Sequence, residues 1–281
     1  MVVDLDSWSE RMLARWAPLR DQCAFAAQRG DETVGYREQV PFEVGSAFKA
    51  FVAAEFAHQI PAGRLDPEMQ LTVQPVDRVD SSLVVAAIPD GGSISLQEAA
   101  EAMIGVSDNT ATDLVLRAVG PDSVRGLIGD LGMSQTSIPD STRSIYERFR
   151  IEPDWRPVAC MTTMDDLVRF YQATVGDRVM GDATERFLDL MQQEDLLQGA
   201  AWPAGVTCFR KSGSVEPPPL FALGMAGAFV DTSGGEVTSF AFALNVDFPE
   251  DAAYEDSPLE PIARVFSEGL RLGLHELAGE A

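Results

Sequence analysis

Basic side chains are in short supply in this sequence. Its 281 residues include 21 Lys and Arg against 44 Asp and Glu, which gives a formal net charge of −23 at pH 7. A surface with this excess of negative charge repels the phosphates of nucleic acids and the headgroups of anionic membranes. The composition therefore argues against a nucleic-acid partner and against binding to an anionic membrane surface.

Cysteine and histidine are also scarce. The three cysteines, Cys23, Cys160 and Cys208, lie far apart, and none has the CxxC or Cys/His spacing of a zinc site. This spacing does not fit a disulfide framework either. We therefore predict free, buried thiols, no metal site and no other cofactor.

Long apolar runs are missing as well. No stretch of about eighteen apolar residues is present, so the sequence predicts no membrane span. The first residues, MVVDLDSWSERMLARW, start acidic and continue amphipathic, whereas a secretory signal starts basic and continues apolar. The chain as given is therefore expected to be cytoplasmic, although a leader removed earlier would leave the same sequence.

Apolar residues make up 46% of the chain, enough for one large domain or two interleaved ones. Residues 5 to 18 have helical periodicity, and CAFAAQRGDETVGYREQ predicts a strand hairpin around an Arg-Gly-Asp turn. From Ser46 to about residue 200 the signals are helical, including a capping box of Ser95 with Glu98. Strand patterns then return, and a last helix follows from about Pro258 to Leu277.

This order of elements predicts an α/β (α+β) fold. Strand formers near both termini, with helices between them, indicate one antiparallel sheet built from both ends and packed beside a helical domain. We assign residues 1–45 and 201–281 to a sheet subdomain with terminal helices, and residues 46–200 to a helical subdomain of the same unit.

The stretch VGSAFKAF places Ser46 and Lys49 three residues apart at the start of a segment that is apolar on nearly every side. Residues three apart share one face of a helix. An apolar setting lowers the pKa of an amine and lets it act as a base toward a neighbouring hydroxyl. Ser46 is therefore a candidate nucleophile with Lys49 as its base, although a helix cap and a snorkelling lysine would give the same four residues.

Two further motifs are weak alone and stronger together. Ser107, Asp108 and Asn109 precede an amphipathic helix, where Ser and Asp are ordinary caps. Lys211, Ser212 and Gly213 fall in a predicted strand. SAFK, SDN and KSG, in this order and in these contexts, resemble the SxxK, SDN and KTG motifs of class A serine β-lactamases and penicillin-binding proteins.

The resemblance extends from about Ser46 to the last helix, and the β-lactamase-like fold that it implies agrees with the order of elements above. It also implies a serine hydrolase that acts on a β-lactam or related activated carbonyl through an acyl-enzyme, with a small molecule as its partner. By position, the resemblance makes Ser46 the acylated nucleophile and Lys49 its proton acceptor. Ser107 would relay a proton to the leaving nitrogen, Asn109 would bind a substrate amide, and Lys211 would supply positive charge near Ser107 and the substrate carboxylate. Ser212 and Gly213 complete the strand motif, and the N–H groups of Ser46 and Ser214 would form the oxyanion hole.

The sequence departs from the family in the loop after SDN. That family has a glutamate there, in a run of the form ExxLN, which activates the water that releases the acyl group. Here the corresponding region reads DSTRSIYERFRIEPDWRPVACMTTMDD, so Glu147, Glu152 or neither is the release base. Without this base, we expect a long-lived adduct with a β-lactam.

Other functions remain open at this stage. One is a cytosolic esterase or acyltransferase of secondary metabolism on the same scaffold, and another is a covalent binder of a β-lactam or peptidoglycan fragment with little turnover. A histidine-based hydrolase does not fit, because His58 would lie about 18 Å from Ser46 along one helix and no GxSxG surrounds that serine. The natural substrate and the oligomeric state are not encoded in these motifs.

Overall fold

The computed structural model describes residues 3–151, 160–194, 202–215, 220–231, 236–247 and 259–279. The helices in these segments are α1 (Leu5–Arg15), α2 (Lys49–Gln59), α3 (Leu96–Gly105), α4 (Asn109–Val119), α5 (Pro121–Asp130), α6 (Thr142–Ile151), α7 (Met164–Tyr171), α8 (Ala183–Met191) and α9 (Leu259–Leu277). The strands are β1 (Cys23–Arg29), β2 (Glu32–Tyr36), β3 (Phe42–Glu43), β4 (Gln70–Thr72), β5 (Ser93–Ser95), β6 (Met161–Thr162), β7 (Val206–Val215), β8 (Leu220–Asp231) and β9 (Val237–Asp247).

Five of these strands form one antiparallel sheet in the order β2-β1-β9-β8-β7. The N-terminal strand β1 therefore lies between β2 and the C-terminal strand β9, with Phe25 opposite Phe242. The prediction of a sheet built from both ends of the chain is confirmed. The turn expected between β8 and β9 lies outside the described residues, and the proposed division into two subdomains stays a prediction.

The two faces of the sheet carry side chains of different size. Alternate residues of a strand point to opposite faces, and here the aromatic set, including Phe25 and Phe242, packs against Trp8 and Trp16 under α1 and α9. The small set faces the helical part of the molecule: Ala24, Ala26, Ala226, Ala228, Ala241 and Ala243. Small side chains let the helices approach this face of the sheet closely.

Helix α2 runs through the helical part and is buried almost all round, with His58 as its exposed residue. The sequence predicted a helix that begins at Ser46. In the structure Gly45–Phe48 form a 3₁₀ turn, and α2 proper begins at Lys49. The capping box of Ser95 with Glu98 is present as predicted. None of the helices among the described residues is long and apolar enough to cross a membrane.

Two short strand pairs are also present, β3 with β6 and β4 with β5, and three of these strands, β4, β5 and β6, lie in the region that the sequence indicated as helical. They are two and three residues long, too short to show the alternation by which a strand is recognised. The three cysteines, Cys23, Cys160 and Cys208, are buried and free, as predicted.

Strand β7 lies almost in contact with the backbone of the 3₁₀ turn. A Cβ on Gly213 would lie 2.3 Å from Ser46 N and 2.3 Å from Val44 O. On the other side of the contact, Gly45 has φ +52° and faces the backbone of Ser214. Only residues without a side chain allow this approach, so the two glycines fix the position of Ser46 beside the strand.

We predict that Gly213→Ala lowers the free energy of unfolding by about 1–3 kcal/mol, because the new methyl group meets backbone that cannot move aside. Any activity that depends on Ser46 should fall with it. The matched control is Gly126→Ala in the exposed part of α5, where a Cβ has open space. That variant should gain up to about 1 kcal/mol from helix propensity. Equal unfolding midpoints in urea for the two variants would contradict the close contact.

Candidate active site

The SAFK motif combines a partly exposed hydroxyl with a buried amine. Residues i and i+3 eclipse one another in a 3₁₀ turn, so Ser46 and Lys49 share a side of the chain more closely than they would in an α-helix. Ser46 is partly exposed and borders a cavity of about 600 Å³, whereas Lys49 is fully buried. The sequence therefore delivers a reachable hydroxyl and a shielded amine at neighbouring positions.

The SDN motif closes around the same amine. Lys49 Nζ donates to the backbone oxygen of Ser107 at 2.7 Å and to Asn109 Oδ1 at 2.8 Å. The Ser107 hydroxyl oxygen lies 3.1 Å from Nζ. The first and second motifs, about 60 residues apart in sequence, thus meet through three hydrogen bonds of one lysine.

Burial lowers the pKa of Lys49 well below its usual value, and the nearby positive charge of Lys211 lowers it further. Asp108 and Asp113 oppose this change only in part. A neutral amine has two N–H groups and one lone pair. The two carbonyl oxygens can take the two N–H groups, which leaves the lone pair for the Ser107 hydroxyl. The arrangement can therefore hold Lys49 as a neutral base in contact with a proton carrier.

Asp108, the middle residue of SDN, has a structural task. One carboxylate oxygen caps α4 by accepting from Ala111 N at 2.9 Å. The other accepts from the backbone N–H groups of Leu83, Val84 and Val85 at 2.9–3.0 Å. Asp108 thereby ties the 83–85 segment to the start of α4 and keeps one wall of the cavity in place.

Ser107 itself has a strained backbone, with φ +57°. This left-handed conformation costs a non-glycine residue about 1–2 kcal/mol. The hydrogen bond from Lys49 to its backbone oxygen helps to hold it there. Strain of this kind at a cavity wall is typical of functional residues, because the surrounding contacts determine the conformation.

The KSG motif lies on β7, and its lysine is paired with a buried glutamate. Lys211 is fully buried, and its Nζ lies 3.3 Å from Glu194 Oε1 and 3.0 Å from the backbone oxygen of Ser212. Glu194 also accepts from the Ser212 hydroxyl at 2.6 Å and lies 3.0 Å from Arg210 Nε. Burial lowers the pKa of Lys211, and Glu194 opposes that change.

The eight residues predicted from the motifs come together in one place. Six of them border the cavity: Ser46, Ser107, Asn109, Ser212, Gly213 and Ser214. Lys49 and Lys211 lie directly behind this wall and are bonded to Ser107 and Ser212. Ser46 and Ser214, whose N–H groups are the predicted oxyanion donors, both border the cavity. The catalytic roles assigned to these residues stay predictions.

The candidates for a release base do not share this position. Glu147 on α6 is exposed and pairs with Arg143 at 3.2 Å, and it does not border the cavity. Glu152 lies outside the described residues. Within the described part of the cavity wall there is no Asp, Glu or His.

The sequence analysis missed two residues at the site, Tyr146 and Glu194. Tyr146 borders the cavity, and its hydroxyl accepts from Asn109 Nδ2 at 3.1 Å. Tyr146 precedes Glu147 on α6, and the orientation of this helix places Tyr146, not Glu147, at the cavity. Glu194 follows α8 and belongs to no recognisable sequence motif. The only available signal was that a buried Lys211 needs a carboxylate partner.

The chain is similar to known proteins in both sequence and fold. The profile of the beta-lactamase enzyme family matches residues 21–254. This chain belongs to the beta-lactamase enzyme family. The β-lactamases PSE-4 and CARB-4 of Pseudomonas aeruginosa are 29% and 28% identical to it over 120 residues, which is 42% of this chain and 38% of either relative. The match thus spans well under half the length of these curated relatives.

Solved structures of β-lactamase-family proteins share the fold. A β-lactamase from Chitinophaga pinensis has a TM-score of 0.77 at 18% identity, over 97% of this chain and 100% of that chain. A mutant of PBP-A, in an acyl-enzyme complex with penicillin G, has a TM-score of 0.73 at 18% identity, over 97% and 96% of the two chains. The resemblance to class A serine β-lactamases and the β-lactamase-like fold are both confirmed.

The strain at Ser107 gives a prediction that separates stability from activity. Ser107→Gly should be more stable than Ser107→Ala by about 1 kcal/mol, because glycine adopts positive φ without strain. Both variants should lose the proton relay and therefore most of the activity. Exposed Ser134, which has no positive φ, is the matched control, and there the alanine variant should be at least as stable as the glycine variant. Urea unfolding of the four variants measures this, and the same order at both positions would refute the strain.

Proposed function

We propose that this member of the beta-lactamase enzyme family is a serine hydrolase that acylates Ser46. One observation supports this most strongly: a fully buried lysine, one 3₁₀ turn from a partly exposed serine, is bonded to the serine and the asparagine of SDN. Such an amine is costly to bury and is rarely kept without a function.

The first half of the proposed reaction uses groups that are all present. Ser46 Oγ attacks the carbonyl carbon of the substrate while its proton passes to Lys49. The bond from that carbon to the leaving nitrogen or oxygen then breaks, and Ser107 passes a proton to the leaving atom. The N–H groups of Ser46 and Ser214 stabilise the oxyanion in between.

For the second half, the described residues offer no carboxylate base at the cavity. Release of the acyl group needs a group that deprotonates water, and the described cavity wall offers no Asp, Glu or His for this step. Loss of a positioned base costs about a hundredfold to ten-thousandfold in the step that it serves. We therefore expect a β-lactam to acylate Ser46 faster than the acyl group is released. The solved structure of a PBP-A mutant in an acyl-enzyme complex with penicillin G makes that compound the first to test.

Two alternatives use the same chemistry: an esterase or acyltransferase, and a covalent binder. A β-lactam and an activated ester are opened by the same attack, so an esterase or acyltransferase would use the same residues. A covalent binder is the limiting case in which release does not occur. A cytoplasmic location stays a prediction.

We predict that penicillin G adds its own mass to the protein, once per chain, and that the adduct persists for many minutes. Intact-mass spectrometry with stopped-flow mixing measures both rates. Ser46→Ala should form no adduct, and Ser134→Ala, which removes an exposed hydroxyl far from the motifs in sequence, should behave like the parent. An adduct on Ser46→Ala would exclude Ser46 as the nucleophile. Rapid multiple turnover would mean that a release base exists.

A further inference from the structure

The described wall of the cavity contains no charged side chain. Its apolar part consists of Leu83, Val106, Leu223, Met225, Phe266 and Leu270. Its polar part consists of hydroxyl groups, backbone groups and the side-chain amide of Asn109, which donates to the Tyr146 hydroxyl. A charged substrate group that enters such a cavity loses water and meets no opposite charge at the surface.

The cation that the motifs assign to a substrate carboxylate is already matched. Lys211 lies behind the wall, and Glu194 holds its ammonium group at 3.3 Å. The same carboxylate lies 3.0 Å from Arg210 and accepts from the Ser212 hydroxyl, which borders the cavity. The Ser212 hydroxyl and the Lys211 ammonium are thus both bound to Glu194, so neither is free to bind a substrate carboxylate. Arg210 and Lys211 together outweigh the charge of Glu194, but both are buried, and the net charge of −23 adds repulsion at longer range.

The amide that the motifs assign to a substrate carbonyl is also matched. Asn109 Nδ2 has two N–H groups, and these point to the backbone oxygen of Asp80 at 2.9 Å and to the Tyr146 hydroxyl at 3.1 Å. Lys49 sets the orientation of the amide, because an N–H of its amine donates to Asn109 Oδ1 at 2.8 Å. An acylamino carbonyl of a substrate would have to displace Tyr146 to reach Asn109.

From these contacts, and resting on the proposed acylation of Ser46, we propose that the enzyme prefers uncharged esters with an apolar acyl group over substrates that carry a carboxylate and an acylamino side chain. Glu194 and Tyr146 are specificity-determining residues. Glu194 pairs with the ammonium group of Lys211, and Tyr146 accepts a hydrogen bond from the amide of Asn109. Recognition of the substrate is left to the apolar wall.

Two matched pairs of p-nitrophenyl esters test this preference. The valerate and the glutarate monoester have acyl chains of equal length, and only the second ends in a carboxylate. The N-acetylglycinate and the 4-methylpentanoate differ chiefly in an amide group. With each kcat/KM divided by the rate of hydroxide hydrolysis, the parent should favour the uncharged, amide-free member of each pair by about tenfold or more.

Substitutions should move the two ratios separately. Glu194→Gln releases the charge of Lys211 and should raise relative cleavage of the glutarate monoester by about tenfold. The exposed Glu68→Gln changes the net charge equally and should leave the ratio unchanged. Tyr146→Phe frees one N–H of Asn109 and should raise relative cleavage of the N-acetylglycinate, without changing the valerate-to-glutarate ratio. If Glu194→Gln does not fold, Tyr146→Phe and the parent ratios still decide.

The results separate this inference from the proposed function. Ester cleavage that needs Ser46 but favours the charged or amide-bearing member of each pair would overturn the inference alone. So would acylation of Ser46 by penicillin G without cleavage of any ester. If neither penicillin G nor the esters acylate Ser46, the proposed function fails and the inference fails with it.

Discussion

The site depends on the burial of one amine. Lys49 at the start of α2 has no exposed surface, and its hydrogen bonds go to Ser107 and Asn109 at the start of α4. Placing it there lowers its pKa, so the unfolded chain binds more protons than the folded one. This lysine therefore destabilises the fold at neutral pH, and its contribution to stability becomes more favourable as the pH rises toward the unfolded pKa of about 10.4. The rest of the fold must offset that cost.

The surrounding structure holds the amine in place by close packing and by matched charges. Gly213 and Gly45 let β7 reach the 3₁₀ turn, and Asp108 binds the segment that covers α4. Behind the strand, Glu194 lies between Lys211 and Arg210, which keeps two further buried cations from remaining unpaired. These are different solutions to one constraint, which is that a charge removed from water needs a partner. Because Glu194 pairs with Lys211, no unpaired cation lies at the described wall of the cavity.

The sequence predicted the architecture because its signals are local. Alternation indicated the strands, and the capping box of Ser95 with Glu98 indicated a helix start that is present. The three motifs predicted residues that do gather at one cavity. The 3₁₀ turn at Ser46 was not predicted, and it lies against β7, a strand far away in sequence. Tyr146 and Glu194 were missed for a similar reason. The first depends on which face of α6 meets Asn109, and the second on a loop after α8 meeting a strand seventeen residues later.

The account rests on Lys49 being a neutral base, and the pH dependence of Ser46 acylation tests this most directly. The single-turnover rate constant with an excess of penicillin G should rise with pH along one titration, with a pKa well below the usual 10.4 of lysine. It should then level off. Lys49→Arg, whose guanidinium does not lose its proton, should be slow and lack this titration. A parent rate that rises only near pH 10, or a titration that survives in Lys49→Arg, would contradict the claim.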